Sequence, residues 1–269
     1  MGEFRSPLTE DANAGKVAIV TGGGTGIGRA TARALAASGA RVAICGRRSE
    51  PLEQVRLELE TEGHDVLALA CDVREAADVA MFLDAVGDRF GGLDVLVNNA
   101  GGQFAAPAEA IGLKGFRAVH RLNVDAPWLL THEVANRWMI PGRSGVVFFV
   151  GFSPRRGIPT MTHSSTARSA LETMASALSN EWSRYGIRVV CVAAGLIQTE
   201  GIQQYGGQEA VDAFARQVPM KRAGRPEEVA STIAFLASSG GAYVSGSTVL
   251  VDGGADAWGL GFEPPSLEP

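Results

Sequence analysis

The stretch from Val17 to Ala30 limits what this chain can become more than any other. Val17, Ala18, Ile19 and Val20 form a short apolar run, as a buried parallel strand requires. Gly22, Gly26 and Gly28 follow with the spacing Gly-x-x-x-Gly-x-Gly. Without a Cβ they permit a tight turn and let a phosphate approach the backbone. The pattern predicts a helix from about Gly26 to Ser38, its N-terminal N–H groups and positive dipole end aimed at that phosphate. Residues 41–45 read as a second strand. Strand, glycine turn, helix and strand make a βαβ unit, the setting in which a glycine cluster indicates dinucleotide binding.

The end of the second strand selects among dinucleotides. An acidic residue there would bond the adenosine ribose 2′-hydroxyl. This chain instead has Gly46 followed by Arg47 and Arg48. A carboxylate repels a 2′-phosphate, whereas a guanidinium grips it with two hydrogen bonds. The expected cofactor is therefore NADP(H).

Further along, an amphipathic helix is expected at 50–63, strands at 66–70 and 93–97, and a helix between them at 76–90. Strands at 145–150, 188–192 and 248–251 alternate with helices at 166–183 and 227–237. Such alternation predicts an α/β, doubly wound, Rossmann-type parallel sheet with helices on both faces. No break in composition divides the 269 residues, and 46% are hydrophobic, enough for one sizeable core. A single domain over 15–254 is expected, with a flexible leader at 1–14 and a C-terminal tail at 255–269. The formal charge of −5, without a basic block, argues against a nucleic-acid partner. No apolar run approaches membrane-spanning length. Three cysteines without metal-ligand spacing predict no metal site and a reducing, cytoplasmic setting. Asp72, at the end of the third strand, can accept from an adenine amino group or cap the helix that follows.

Several motifs together carry a family resemblance. They are Thr21-Gly-x-x-x-Gly-Ile-Gly28, Asp72-Val73, Asn98-Asn-Ala-Gly101, Gly224-Arg-Pro-Glu-Glu-Val-Ala230 and Val251-Asp-Gly-Gly254. Over roughly residues 15–254 the chain resembles the short-chain dehydrogenase/reductase family. The resemblance implies about seven strands and a homotetramer. It also implies a cofactor site made by Gly22, Gly24, Thr25, Gly26, Ile27, Gly28, Arg47, Arg48, Asp72, Val73, Asn99, Ala100, Gly101, Arg168, Gly195, Ile197 and Thr199. In it the Ile197 backbone and the Thr199 hydroxyl would hold the nicotinamide carboxamide.

One region departs from the family. Members usually carry an Asn, a Ser and a Tyr-x-x-x-Lys pair. Asn123 matches the Asn; it can anchor a water, hold a helix kink, or do both. The Ser position falls on Gly151, and the nearest hydroxyl is Ser153. The Tyr position is Ser164 and the Lys position Arg168. A carbonyl reductase must protonate an alkoxide, and a serine hydroxyl is too weak an acid for that. Reduction of an activated C=C bond asks less. Negative charge builds on a thioester oxygen, which needs hydrogen-bond donors and no immediate proton. Ser164, Ser153 or His163 could donate there, and Tyr205 is a candidate displaced phenol.

A closer resemblance agrees. Gly101-Gly-Gln-Phe104, Pro107-Ala-Glu109, Lys114-Gly-Phe116, His163-Ser-x-x-Ala-Arg168 and Tyr205-Gly206 resemble the peroxisomal trans-2-enoyl-CoA reductase branch. That branch reduces enoyl-CoA with NADPH and also carries Ser and Arg at these places; dienoyl-CoA reductases are a more distant resemblance. Three readings stand at this point. One is an NADPH-dependent reductase of an acyl-thioester or enone, a second a carbonyl or imine reductase with a displaced acid, and a third a nucleotide-binding protein without redox chemistry. Phe104 could line an acyl slot, and residues 200–219 could form a lid over substrate.

Overall fold

The computed structural model describes residues 8–153, 157–201 and 207–258. Seven parallel strands form one sheet in the order β3-β2-β1-β4-β5-β6-β7. They are β1 (Val17–Thr21), β2 (Arg41–Gly46), β3 (Val66–Ala70), β4 (Val95–Asn98), β5 (Gly145–Phe152), β6 (Ile187–Ala194) and β7 (Thr248–Val251). The helices are α1 (Gly26–Ala37), α2 (Ser49–Thr61), α3 (Ala76–Phe90), α4 (Leu113–His120), α5 (Ala126–Val134) and α6 (Ile140–Gly142). Then come α7 (Thr162–Trp182), α8 (Gly207–Gln217), α9 (Pro226–Ala237) and α10 (Ala255–Trp258).

Successive strand residues point to opposite faces, so each strand feeds two cores. Ala18, Val20, Val42, Ile44, Val97 and Phe148 pack beneath α1, α2 and α9, with Leu35, Leu52 and Ile233. Ile19, Ala43, Leu96 and Phe149 pack beneath α3, α5 and α7, with Phe82, Leu130 and Leu171. Each large side chain so buried contributes roughly 1.5–3 kcal/mol. The strand order reverses between β1 and β4, which opens a crevice at their C-terminal ends.

The structure corrects three boundaries. β4 starts at Val95, not Leu93, because Asp94 turns its carboxylate to the Val17 N–H at 2.9 Å. α7 starts a turn earlier than expected, which draws His163 and Ser164 into its first turn. The expected leader is in part packed. Asn13 is 1% exposed and donates to Ser38 Oγ at 2.9 Å and to the Ala234 carbonyl at 3.0 Å, tying the chain to the ends of α1 and α9. No helix of the described residues is long and apolar enough to cross a membrane, and among them no cluster of His, Cys, Asp or Glu could hold a metal ion.

Candidate active site

A cleft of about 680 Å³ runs along the C-terminal ends of the strands. Its phosphate end is built from backbone. Gly22 takes φ +66°, a region that favours glycine, and its N–H donates to the Cys45 carbonyl at 2.7 Å. Thr25 caps α1 without a side-chain hydrogen bond, and no acidic residue occupies the first turn. The first N–H groups of α1 are thus left for an anion. Gly28 stands behind the turn: a Cβ there would lie 2.1 Å from the Gly22 carbonyl oxygen. This close approach is what lets helix and strand meet. Thr21 Oγ1 accepts from the N–H groups of Asn99 at 3.0 Å and Ala100 at 2.9 Å, clipping the end of β4 to β1.

At the adenosine end, Arg47 and Arg48 are exposed, line the cleft and make no ion pair among the described residues. Asp72 lines the same wall, but its carboxylate is engaged. Arg74 donates to it through Nε at 2.9 Å, through Nη2 and through its backbone N–H. These bonds bring its pKa down to about 2, and Glu75 occupies the N-cap of α3 in its place. At the nicotinamide end, Gly195, Ile197 and Thr199 line the cleft. Ile197 bridges to Gly224 through its neighbours: Gln198 N–H donates to the Gly224 carbonyl and Gly224 N–H to the Leu196 carbonyl, both at 2.8 Å. The amide and carbonyl of Ile197 itself face away from Gly224. Every expected cofactor residue except Gly28 lines this one cleft. The glycine turn and the open helix terminus fit a nicotinamide dinucleotide.

The region that departs from the family is arranged differently from the sequence expectation. Ser164 is fully buried and does not line the cleft; its hydroxyl donates to Gln103 Oε1 at 2.8 Å, and Gln103 is the residue that faces the cleft. The sequence placed Gln103 in the loop after β4, at the border of the site, without giving it a role. Arg168 does line the cleft. Its Nη1 donates to the Val150 carbonyl, and its Nε is buried with no partner. Burial brings its pKa down to about 10. A Cβ on Gly101 would fall 2.3 Å from Arg168 Nη2, so this glycine makes room for the guanidinium.

Asn123 sits in a π-helical turn (Arg121–Asp125) between α4 and α5. Its Nδ2 donates to the Val119 and Gly102 carbonyls, both at 2.8 Å. The amide thus serves a carbonyl that the widened turn releases, and it fixes the loop beside Gln103. Ser153 is not brought to the cleft; its hydroxyl donates to Asp252 Oδ2 at 2.5 Å. His163 is fully buried beneath Phe104, away from the cleft wall. Tyr205 lies outside the described residues with the rest of 202–206, while the later part of the expected lid forms α8, and neither Tyr185 nor Tyr243 lines the cleft.

Comparison with known proteins places the chain. The family described as Enoyl-(Acyl carrier protein) reductase matches residues 22–256. The peroxisomal 2,4-dienoyl-CoA reductase of Danio rerio is 33% identical over 95% of this chain and 86% of its own length. Glucose 1-dehydrogenase of Gluconobacter oxydans is 36% identical over 93% and 95%. The solved structure of a citronellol catabolism dehydrogenase from Pseudomonas aeruginosa superposes with a TM-score of 0.81 at 38% identity, covering 94% of this chain and 98% of that one. The chain belongs to the short-chain dehydrogenase/reductase family, whose members use nicotinamide cofactors.

Proposed function

We propose that this protein reduces the activated C=C bond of a trans-2-enoyl thioester, an enoyl-CoA, with NADPH. One observation carries the reading: Ser164, where the family resemblance expects a phenol, is buried and holds the amide of Gln103 at the cleft. Ser164 donates to the amide oxygen and so fixes the amide's orientation. An amide N–H can hydrogen-bond a developing enolate oxygen, but it will not surrender a proton to an alkoxide. This chemistry suits a thioester enolate and disfavours a ketone.

NADPH, when bound, would supply the hydride that goes to Cβ, and solvent water the proton that ends on Cα. Arg47 and Arg48 would hold its 2′-phosphate, the turn at Gly22 to Ile27 its diphosphate, and Ile197 and Thr199 its carboxamide. Arg168 places positive charge beside the reacting carbons, which favours charge on the thioester oxygen. Asn123 steadies Gly102 and with it Gln103. The 2,4-dienoyl-CoA reductases among the relatives support a conjugated acyl-CoA as the substrate class. We further propose a cytoplasmic homotetramer. Three free buried thiols fit a reducing compartment, and exposed Trp128, Phe235 and Tyr243 offer apolar surface for subunit contact.

The test is loss of nicotinamide absorbance when purified protein meets NADPH and crotonyl-CoA, 2-octenoyl-CoA or 2-dodecenoyl-CoA, beside a panel of ketones. Consumption of ketones with enoyl thioesters ignored would replace this reading with a carbonyl reductase. Binding of NADPH without oxidation by any substrate would point to a non-redox role.

A further inference from the structure

At the adenosine end of the cleft two cysteines stand together. Cys45 lies in β2 and Cys71 directly follows β3, and the two strands are parallel neighbours with Gly46 beside Ala70. The Cys71 N–H donates to the Gly46 carbonyl at 2.9 Å, which continues that pairing one residue past the strand. Both side chains enter the same buried cluster, with Val73, Val79 and Phe82, on the α3 side of the sheet. There the Cys45 S–H donates to the Cys71 sulfur. This bond raises the Cys45 thiol well above its usual range and lowers that of Cys71, so Cys71 is the better nucleophile of the two.

Their placement couples the pair to the cofactor site from two sides. Cys71 lines the cleft, next to Asp72 and Val73. The Cys45 carbonyl accepts from the Gly22 N–H at 2.7 Å and the Gly23 N–H at 3.2 Å, and so holds the glycine turn. The third cysteine, Cys191, has neither property. It lies in β6, does not line the cleft, and burial pushes its thiol up to about 12.

We propose that Cys45 and Cys71 are an oxidation site, and that the disulfide between them weakens dinucleotide binding. Hydrogen peroxide, entering through the cleft, is the oxidant. The Cys71 sulfur attacks it: an S–O bond forms, the O–O bond breaks, and the leaving hydroxide takes the thiol proton away as water. The Cys45 sulfur then attacks the Cys71 sulfenic acid: an S–S bond forms, the S–O bond breaks, and a second water leaves with the Cys45 proton. Two thiols and one peroxide thus give one disulfide and two waters. Closing the bond draws the sulfurs from hydrogen-bonding contact to covalent distance. The wall from Cys71 to Val73 and the Cys45 carbonyl move with them, which disturbs the adenosine end and the turn at Gly22 together. A bound dinucleotide covers Cys71 and slows the first step. The pair works at the cofactor end and does not depend on the enoyl-thioester reading.

The test treats the full-length protein with hydrogen peroxide and follows it by peptide mass and by fluorescence titration. Native protein should yield a linked Cys45–Cys71 peptide and bind NADPH and NADH each about tenfold more weakly, with dithiothreitol restoring both affinities. The loss falls on both cofactors because Cys71 faces the adenosine half they share, which separates it from any effect at the 2′-phosphate. Saturating NADP+ during treatment should suppress the link. In Cys45→Ser, dimedone should trap a sulfenic acid at Cys71. In Cys71→Ser, Cys45 should stay unlabelled, and the affinity for NADPH should be the same before and after peroxide. Absence of the linked peptide, or a link that leaves both affinities unchanged, would overturn the proposal, as would oxidation of Cys191 ahead of Cys71.

Discussion

The phosphate end of the cleft is made of main chain, and the nicotinamide end of side chains. At the first, the working groups are the N–H groups of α1 and the turn at Gly22, shaped by residues that lack a Cβ. At the second, Gln103, Ser164, Arg168 and Asn123 come from three separate segments, and the decisive bond joins residues 61 apart in sequence. A main-chain site is specified by local spacing, and there is little freedom in how it performs. A side-chain site is specified by what the tertiary fold brings together, and it can change its chemistry without disturbing the first.

The largest expected effect tests the main-chain end. Gly28→Val would force a Cβ against the Gly22 carbonyl at 2.1 Å and Asn99 Nδ2 at 2.5 Å. Overpacking at backbone cannot be relieved by a rotamer change. NADPH binding should weaken about 1000-fold, roughly 4 kcal/mol, as measured by fluorescence titration of protein shown to be folded by circular dichroism. A dissociation constant within a few-fold of the native value would mean that the turn does not carry the phosphates.

The second effect tests the other end. Gln103→Leu removes the proposed donor and should lower kcat with crotonyl-CoA about 100-fold, roughly 2.7 kcal/mol, with the KM for NADPH unchanged. Ser164→Ala should cost less, about tenfold, because the hydroxyl orients the amide without touching substrate. The reverse ranking would return the donor role to Ser164.

The third separates cofactor choice from cofactor binding. Arg47→Glu should raise the KM for NADPH about tenfold, the worth of one charge-assisted hydrogen bond, and leave the KM for NADH nearly unchanged. Equal rises for both would dissociate Arg47 from the 2′-phosphate.

The same division explains what could be read in advance. The βαβ unit, the parallel sheet and sixteen of the seventeen expected cofactor positions on one cleft followed from glycine spacing, strand periodicity and family motifs. Gly28 is the exception because its role is to stay behind the turn. The roles of Ser153 and Ser164 were not legible. Residue type shows that a hydroxyl is present, but not that Asp252 takes the hydrogen of one and Gln103 that of the other. Asp72 lines the cleft as expected, but its bond to Arg74, two residues on, was not legible in the spacing. Thr21 went unnoticed because its contacts, the N–H groups of Asn99 and Ala100, exist only once β1 and β4 are neighbours.

The smallest effect lies beneath the side-chain end and concerns pH. His163 is buried beneath Phe104, and burial and the nearby His120 hold its folded pKa below the ordinary 6.5. The unfolded chain therefore takes up a proton at a pH where the folded chain does not, and stability falls as pH drops below about 6.5 toward the folded value. Above 6.5 both states are neutral at this residue, and it contributes no slope. His163→Leu removes the titration while keeping an apolar floor under Phe104. The loss of melting temperature between pH 7.5 and 5.5 should be smaller in the variant than in the native protein. Identical losses would mean that water or a proton acceptor reaches the imidazole in solution despite its burial.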